Sequence, residues 1–187
     1  RTRRLLLAAC TVALIAAAVP VAPVAAAPNT WWVEVFGSDA NPGTEAAPFR
    51  SITYAMTKAA SGDTIMVEPG TYQTPRETFP IALKPGVRLT SSGGAAVTTI
   101  DANSTSSVVS IVNATAGTEL SGFTLIDGRN TYGGGVHVYN SVSRPAGWPV
   151  IAENVIKDNT ATSVGGGIDV QAAPGMLAAP VIEDNSI

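Results

Sequence analysis

Only one cysteine, one histidine and few charges occur in this chain of 187 residues, of which 13% are Asp, Glu, Lys or Arg. These shortages exclude whole classes of answer. Cys10 is the single cysteine and lies within an apolar run, so the rest of the chain has neither a disulfide framework nor a cysteine nucleophile. Low charge, with abundant Ala, Val, Thr, Ser and Gly, argues against disorder and against a nucleic-acid partner. No hydrophobic run beyond the first residues is long enough to span a membrane. After Gly62, no stretch has helical periodicity.

The first residues read as an export signal. Arg1, Arg3 and Arg4 precede an apolar run over residues 5–19, then VPVAPVAAAP, where Ala25, Ala26 and Ala27 offer a small-residue cleavage site. Residues 1–27 are therefore expected to be a signal peptide, too short and too abruptly ended by proline to span a bilayer. Its removal takes away three of eleven basic residues and leaves eight against fourteen acidic ones, a net charge of −6. An acidic exported chain suits neutral glycans or cations better than polyanions. Two special signals compete with an ordinary one. Leu7-Ala8-Ala9-Cys10 fits a lipobox, but the apolar run before Cys10 is very short and a longer one comes after it; residues 2–7 resemble a twin-arginine signal, a beginning that ordinary signals share. The sequons at Asn103 and Asn113 bear only on a eukaryotic source.

Residues 28–62 are expected to form a strand, a loop and a capping helix. WWVEVF at 31–36 alternates as a strand does and runs into the turn-rich GSDANPGTEAAP. Asp39 and Asn41 hint at a calcium loop, yet the glycine falls one place early and no acidic residue closes it, which favours a plain turn. Phe49, Ile52, Met56 and Ala59 then share one helical face, with Ser51 as N-cap and Ser61-Gly62 as stop. Such a helix would cover the open end of a strand-built solenoid.

Residues 63–187 are expected to be coils of that solenoid, incomplete at the C-terminus. Short strands recur about every ten residues, at 64–68, 81–83, 87–89, 97–100, 108–112 and 120–126. The last third then repeats itself: GGGVHV at 133–138 returns as GGGIDV at 165–170, and PVIAENVI at 149–156 as PVIEDNSI at 180–187, a period of about 31 residues. The glycines precede strands rather than helices and no Lys-Ser or Lys-Thr comes after them, so they are turns and not a phosphate loop. Carried one period backward, the pattern aligns Leu120 with Ile151 and Ile182, and Leu125 with Ile156 and Ile187. Aliphatic side chains should therefore stack in columns, with Asn154 on Asn185 at a bend and Asn159 at the next. Asparagine tolerates left-handed backbone and its amide can bond to the coil above, so these residues are read as structural.

GSDANPGT, the helix with PFRSITYAM, SGDTIMVEPGTY, GFTLIDG and the GGG-strand repeats resemble the right-handed parallel β-helix, or pectate-lyase-like, superfamily. Residues 32–72 are similar to the N-terminal module of many secreted bacterial β-helix proteins. The resemblance implies an all-β, right-handed parallel β-helix with a short N-terminal capping helix. It says little of activity, because one scaffold hosts many chemistries. Pectate lyases of this superfamily bind calcium through an aspartate cluster and use Lys or Arg as base. No such cluster occurs here, since Asp127, Asp158 and Asp184 fall at turns, so neither catalytic residues nor a metal or other cofactor are assigned.

Strand alternation points Val136 and Val138 inward and His137 and Tyr139 outward, and likewise Ile168 and Val170 inward and Asp169 and Gln171 outward. Coils stacked about 4.8 Å apart set His137 beside Asp169 and Tyr139 beside Gln171. The loop at 141–149 brings Arg144 and Trp148 toward the same face. His137, Tyr139, Trp148, Asp169 and Gln171 are thus the candidate glycan-binding residues, because aromatic faces stack on sugar rings and polar groups meet hydroxyls. The competing account is ordinary surface, with Trp148 pinning its loop. A glycosidase carboxylate pair and a nucleophilic serine both lack support. The sequence suggests an extracellular or cell-surface monomer that binds or acts on polysaccharide, or else a non-enzymatic, adhesin-like stalk, and does not decide whether it is an enzyme.

Overall fold

The computed structural model describes residues 27–141 and 147–187. The signal peptide, Cys10, the twin-arginine motif and Arg144 fall outside the described residues, apart from Ala27. Among the described residues, sixteen strands and one helix succeed one another in an all-β solenoid, a parallel β-helix of about five coils. Each coil contributes one strand to each of three parallel sheets, and a parallel crossover of this kind takes the right hand. The first sheet contains β1 (Thr30–Val33), β2 (Thr64–Val67), β5 (Arg88–Ser91), β8 (Glu119–Ser121), β12 (Val150–Ala152) and β16 (Val181–Glu183) in spatial order. The second stacks β3 (Gly70–Gln73), β6 (Thr98–Asp101), β9 (Thr124–Ile126) and β13 (Val155–Ile156). The third stacks β4 (Ile81–Leu83), β7 (Val109–Val112), β11 (Val136–Asn140) and β15 (Ile168–Ala172). A small ribbon, β10 (Arg129–Tyr132) on β14 (Thr160–Val164), precedes the last two strands of that third sheet. No helix among the described residues is long and apolar enough to cross a membrane.

The columns expected from the repeat are present in register. Ile65, Leu89, Leu120, Ile151 and Ile182 stand one above another in the first sheet. Tyr72, Ile100, Leu125 and Ile156 do so in the second. Leu83, Ile111, Val138 and Val170 do so in the third. Apart from Ile182, which is exposed, these ladders meet inside the coil as one core with Phe123 and the helix side chains. Burying a leucine or isoleucine of this kind is worth about 1.5–3 kcal/mol.

At the corners between sheets the left-handed residues stand beside the asparagines rather than at them. Left-handed backbone falls at Gly122, Glu153 and Asp184, one residue before the stacking position, and again at Asp127 and Asp158. The asparagines themselves form an amide ladder instead. Asn154 accepts from Phe123 N–H at 3.0 Å and donates to Leu120 C=O and to Asn185 Oδ1, each at 3.0 Å. Asn185 repeats the contact one coil on, donating to Ile151 C=O at 2.7 Å. Asn159 joins Gly128 N–H to Leu125 C=O at the next corner. An amide can accept from one coil and donate to another, so a column of asparagines satisfies the backbone at a bend where the sheet ladder breaks. Residues 120–126 are likewise two strands rather than one, because Gly122 (φ +78°) turns the chain between sheets.

The N-terminal end is closed by α1 (Ile52–Lys58), which buries Ile52, Ala55 and Met56 against β1, β2 and β4. Ser51 caps it, its hydroxyl accepting from Tyr54 N–H at 3.1 Å. Three carboxylates hold this cap in place. Asp39 accepts from Arg50 and Ser51 N–H at 2.9 and 3.0 Å, which gives the suspected calcium loop a structural role. Glu77 reaches back to accept from Ile52 and Thr53 N–H at 2.7 and 2.8 Å, supplying the acidic partner that the helix's own first turn lacks. Burial pushes the Glu77 carboxyl above the usual glutamate range, although the bonds from Thr53 and Ile52 pull it back. Asp63 ties the first strand to its own turn by accepting from Asn29 N–H (2.8 Å), Trp31 Nε1 (3.0 Å) and Ala60 N–H (3.0 Å). Burial alone would raise its carboxyl, but those donors outweigh it and hold it below the usual range.

Candidate functional site

The outer face of the third sheet is set by the glycine triplets. Gly133 and Gly165 adopt φ of +57° and +66°. A Cβ at Gly133 would stand 2.8 Å from the His137 Cβ, and one at Gly165 2.7 Å from the Asp169 Cβ. Both glycines therefore supply the turn and clear the space for the side chains beyond them. At Gly135 a Cβ would lie 2.5 Å from the Gly167 carbonyl, so the third glycine lets adjacent coils approach. With that register fixed, β7, β11 and β15 align Ser110, His137 and Asp169 in one outward row and Val112, Tyr139 and Gln171 in the next.

His137 Nδ1 lies 3.0 Å from Asp169 Oδ2, and Gln171 Nε2 donates to the same oxygen at 2.9 Å. Asp169 is only 9% exposed and the His137 side chain 22%, so the pair is recessed in the face. An ionised carboxylate can only accept; Nδ1 therefore carries the proton, and Nε2 is the remaining polar atom of the ring. Around it the aromatic rings line up. The His137 and Tyr139 rings are 6.5 Å apart and within 6° of parallel, and Tyr132 lies 6.3 Å from His137 at 30°. Tyr132 and Tyr139 are 42% and 36% exposed. The result is a polar, aromatic strip along β11, with a fixed hydrogen-bonded centre.

Four of the five residues singled out by the sequence, His137, Tyr139, Asp169 and Gln171, are thus gathered on one face. Trp148 is not gathered there: it packs half-buried against the core, after Gly147 passes the Thr115–Ala116 backbone too closely for a Cβ. Tyr132 carries no mark in the sequence that singles it out. It stands just ahead of the first glycine triplet, where Val164 stands ahead of the second, and that pairing of β10 with β14 is the signal that would have found it.

No group of three or more His, Cys, Asp or Glu side chains converges on a possible metal position among the described residues. Two concave features of the described residues lie at the other end of the solenoid. An apolar groove of about 340 Å³ runs between Met56 of α1 and Ile81 of β4, and a cleft of about 250 Å³ lies beneath Arg50 and Arg76. The strip on β11 is an open sheet face with exposed tyrosines, which suits an extended ligand better than a small enclosed one.

Comparison with known proteins agrees with this architecture. The family described as "Protein of unknown function (DUF1565)" matches residues 35–187. An "Uncharacterized protein YwoF" of Bacillus subtilis (strain 168) is 49% identical over 41 residues, 22% of this chain and 9% of that protein. Among solved structures, a "Rhamnogalacturonan lyase" superposes with a TM-score of 0.52 at 16% identity, over 84% of this chain and 51% of that one. The chain therefore spans about half of that structure and a small part of YwoF. At such low identity the likeness to the lyase shows the fold alone.

Proposed function

We propose that this chain, which belongs to the DUF1565 family and to the parallel β-helix superfamily, is an exported protein that grips extracellular polysaccharide on the outer face of its third sheet. The observation that carries the reading is the strip Tyr132–His137–Tyr139, exposed aromatic rings set side by side around a His137–Asp169–Gln171 hydrogen-bonded centre. Sugars present apolar ring faces and equatorial hydroxyls together. Flat aromatic groups alternate here with oriented donors and acceptors, as such a ligand requires. The fold shared with a rhamnogalacturonan lyase supports a carbohydrate ligand by analogy. The arginines and apolar run of residues 1–19 support export.

The test is retention on immobilised polysaccharides, neutral and acidic, for the wild type and for Tyr132→Ala with Tyr139→Ala. The double variant should lose most retention, a change of about tenfold in affinity, while unfolding at the same urea midpoint because both rings are surface groups. Unchanged retention, or no retention of the wild type on any glycan, would overturn the reading and leave the adhesin-like stalk as the better account.

A further inference from the structure

The cleft beneath the cap carries a second site, independent of the strip on β11. It is lined by Arg50, Arg76, Thr71, Gln73, Thr74 and Tyr72 among others and encloses about 250 Å³. That is smaller than a pocket for a drug-sized molecule and large enough for one small ring or short acid. What matters is which polar groups there are already in use. The Tyr72 hydroxyl donates to Glu68 C=O at 2.8 Å, and Thr74 Oγ1 is bonded to Asn103 Oδ1 at 2.9 Å. The Glu77 carboxylate is occupied by the helix amides, and Asp39 by Arg50 and Ser51 N–H. Arg76 is steadied by one long bond, from Nη1 to Val35 C=O at 3.3 Å, and the Arg50 guanidinium makes no hydrogen bond among the described residues. Neither arginine forms an ion pair: the two salt bridges among the described residues are Arg88–Glu119 and His137–Asp169. Residues 1–26 and 142–146 contain no Asp or Glu that could supply one.

Two guanidiniums without carboxylate partners therefore border one small cleft of an acidic protein, with the Gln73 amide between them in sequence. We infer that this cleft binds a small carboxylate-bearing ligand, held between Arg50 and Arg76 with its body against Gln73 and Pro75. A planar guanidinium matches a carboxylate through two parallel N–H bonds, and the pair of them supplies the charge. The same walls would reject a neutral analogue, which leaves both arginines unmatched. Glu77 also lines the cleft, but its carboxylate is turned to the Ile52 and Thr53 amides, and Glu34 and Glu68 do not line it, so these acids weaken the local field without filling the site.

The experiment titrates the chain with galacturonate, with galactose, and with citrate, following the backbone amide resonances of residues 71–77. Galacturonate and galactose differ in the carboxylate alone, and citrate separates a simple organic acid from an acidic sugar. Both acids, or one of them, should shift these resonances in a saturable and salt-sensitive way, while galactose should not. Arg50→Gln should weaken that binding about tenfold, and Arg50→Lys should restore part of it. Because Arg50 is exposed and its side chain supports nothing else, the variant should fold normally, and the urea midpoint checks this. Equal shifts with galactose, no saturation with either acid, or unchanged affinity in Arg50→Gln would overturn the inference. None of these outcomes depends on Tyr132 or Tyr139, so the site stands or falls apart from the strip on β11.

Discussion

Asp39, Asp63 and Glu77 in the cap and Asn154, Asn159 and Asn185 in the later coils play one role, since each accepts backbone N–H groups that the sheet ladders leave over. They differ in how often that need recurs and in what the acceptor can do. In the coils the problem returns every 31 residues, and an amide that both donates and accepts can pass the contact from coil to coil. In the cap each contact occurs once, and most join segments 11 to 34 residues apart, where a terminal acceptor is enough. A carboxylate is the stronger acceptor for a cluster of N–H groups at a helix start. It also titrates, which an amide does not. The cap is therefore where backbone N–H groups rest on acceptors that titrate, and the asparagine ladder of the coils is held by amides that do not.

The ladder is the place to break that comparison hardest. Asn154→Ala removes the acceptor of Phe123 N–H and the donor to Leu120 C=O in a corner that is almost wholly buried. Two backbone groups left without partners should cost about 3 kcal/mol, measured by urea unfolding. Asn185→Ala should cost less, because that residue is partly exposed and water replaces its contacts. Equal costs would mean that the ladder acts through something other than burial.

Asp63 and Glu77 sharpen the contrast with opposite signs. The Asp63 carboxyl is held below its ordinary value in the folded state, so its stabilisation is present above the ordinary aspartate pKa of about 3.9 and is lost as pH falls through the depressed folded value. Glu77 is raised, so its stabilisation is full below the ordinary glutamate pKa of about 4.3 and is lost as pH rises through the raised folded value. Asp63→Asn should therefore cost about 2 kcal/mol at neutral pH and flatten the acid limb of the urea midpoint against pH. Glu77→Gln should flatten the decline above the ordinary glutamate value while leaving the acid limb in place. Asn154→Ala should lower the whole curve without changing its shape. A change of shape there would refute the division between cap and coils.

How much of this could be seen in the sequence also divides along the same line. The aliphatic columns, the pairing of His137 with Asp169 and the helix face of Ile52 and Met56 derive from periods of 31, 2 and 3.6 residues, and periodicity survives without knowledge of the fold. Glu77 on the helix start and Asp63 beneath Trp31 obey no period, since each depends on a single long-range meeting. The β3 strand is hidden for a related reason: Pro69-Gly70 reads as an ending, yet it is the corner into the next sheet. Tyr132 escapes notice because the ribbon that carries it is exposed on all four residues and has no apolar alternation to read. Trp148 shows the converse hazard, for an aromatic in a loop beside a site still prefers to bury its ring.

The smallest effect is expected where the two regions join. Arg88 on β5 lies opposite Glu119 on β8, linking the last short coil near the cap to the first of the regular ones, with Nε and Oε2 3.6 Å apart. It looks like a strut across the seam, but the Arg88 side chain is 58% exposed and that of Glu119 31%, and Glu119 also accepts from Ser121 Oγ at 3.0 Å. A solvated pair gains little in high dielectric, and holding a long side chain in one rotamer offsets much of that gain. The seam is instead carried by Leu89 on Leu120 below the pair, and by the ladder bonds of the strands themselves. Arg88→Ala should accordingly shift stability by about 0.5 kcal/mol or less, and that shift should disappear at high salt. A loss comparable to Asn154→Ala would show that the junction depends on its surface charges, and that cap and coils are coupled by more than their shared core.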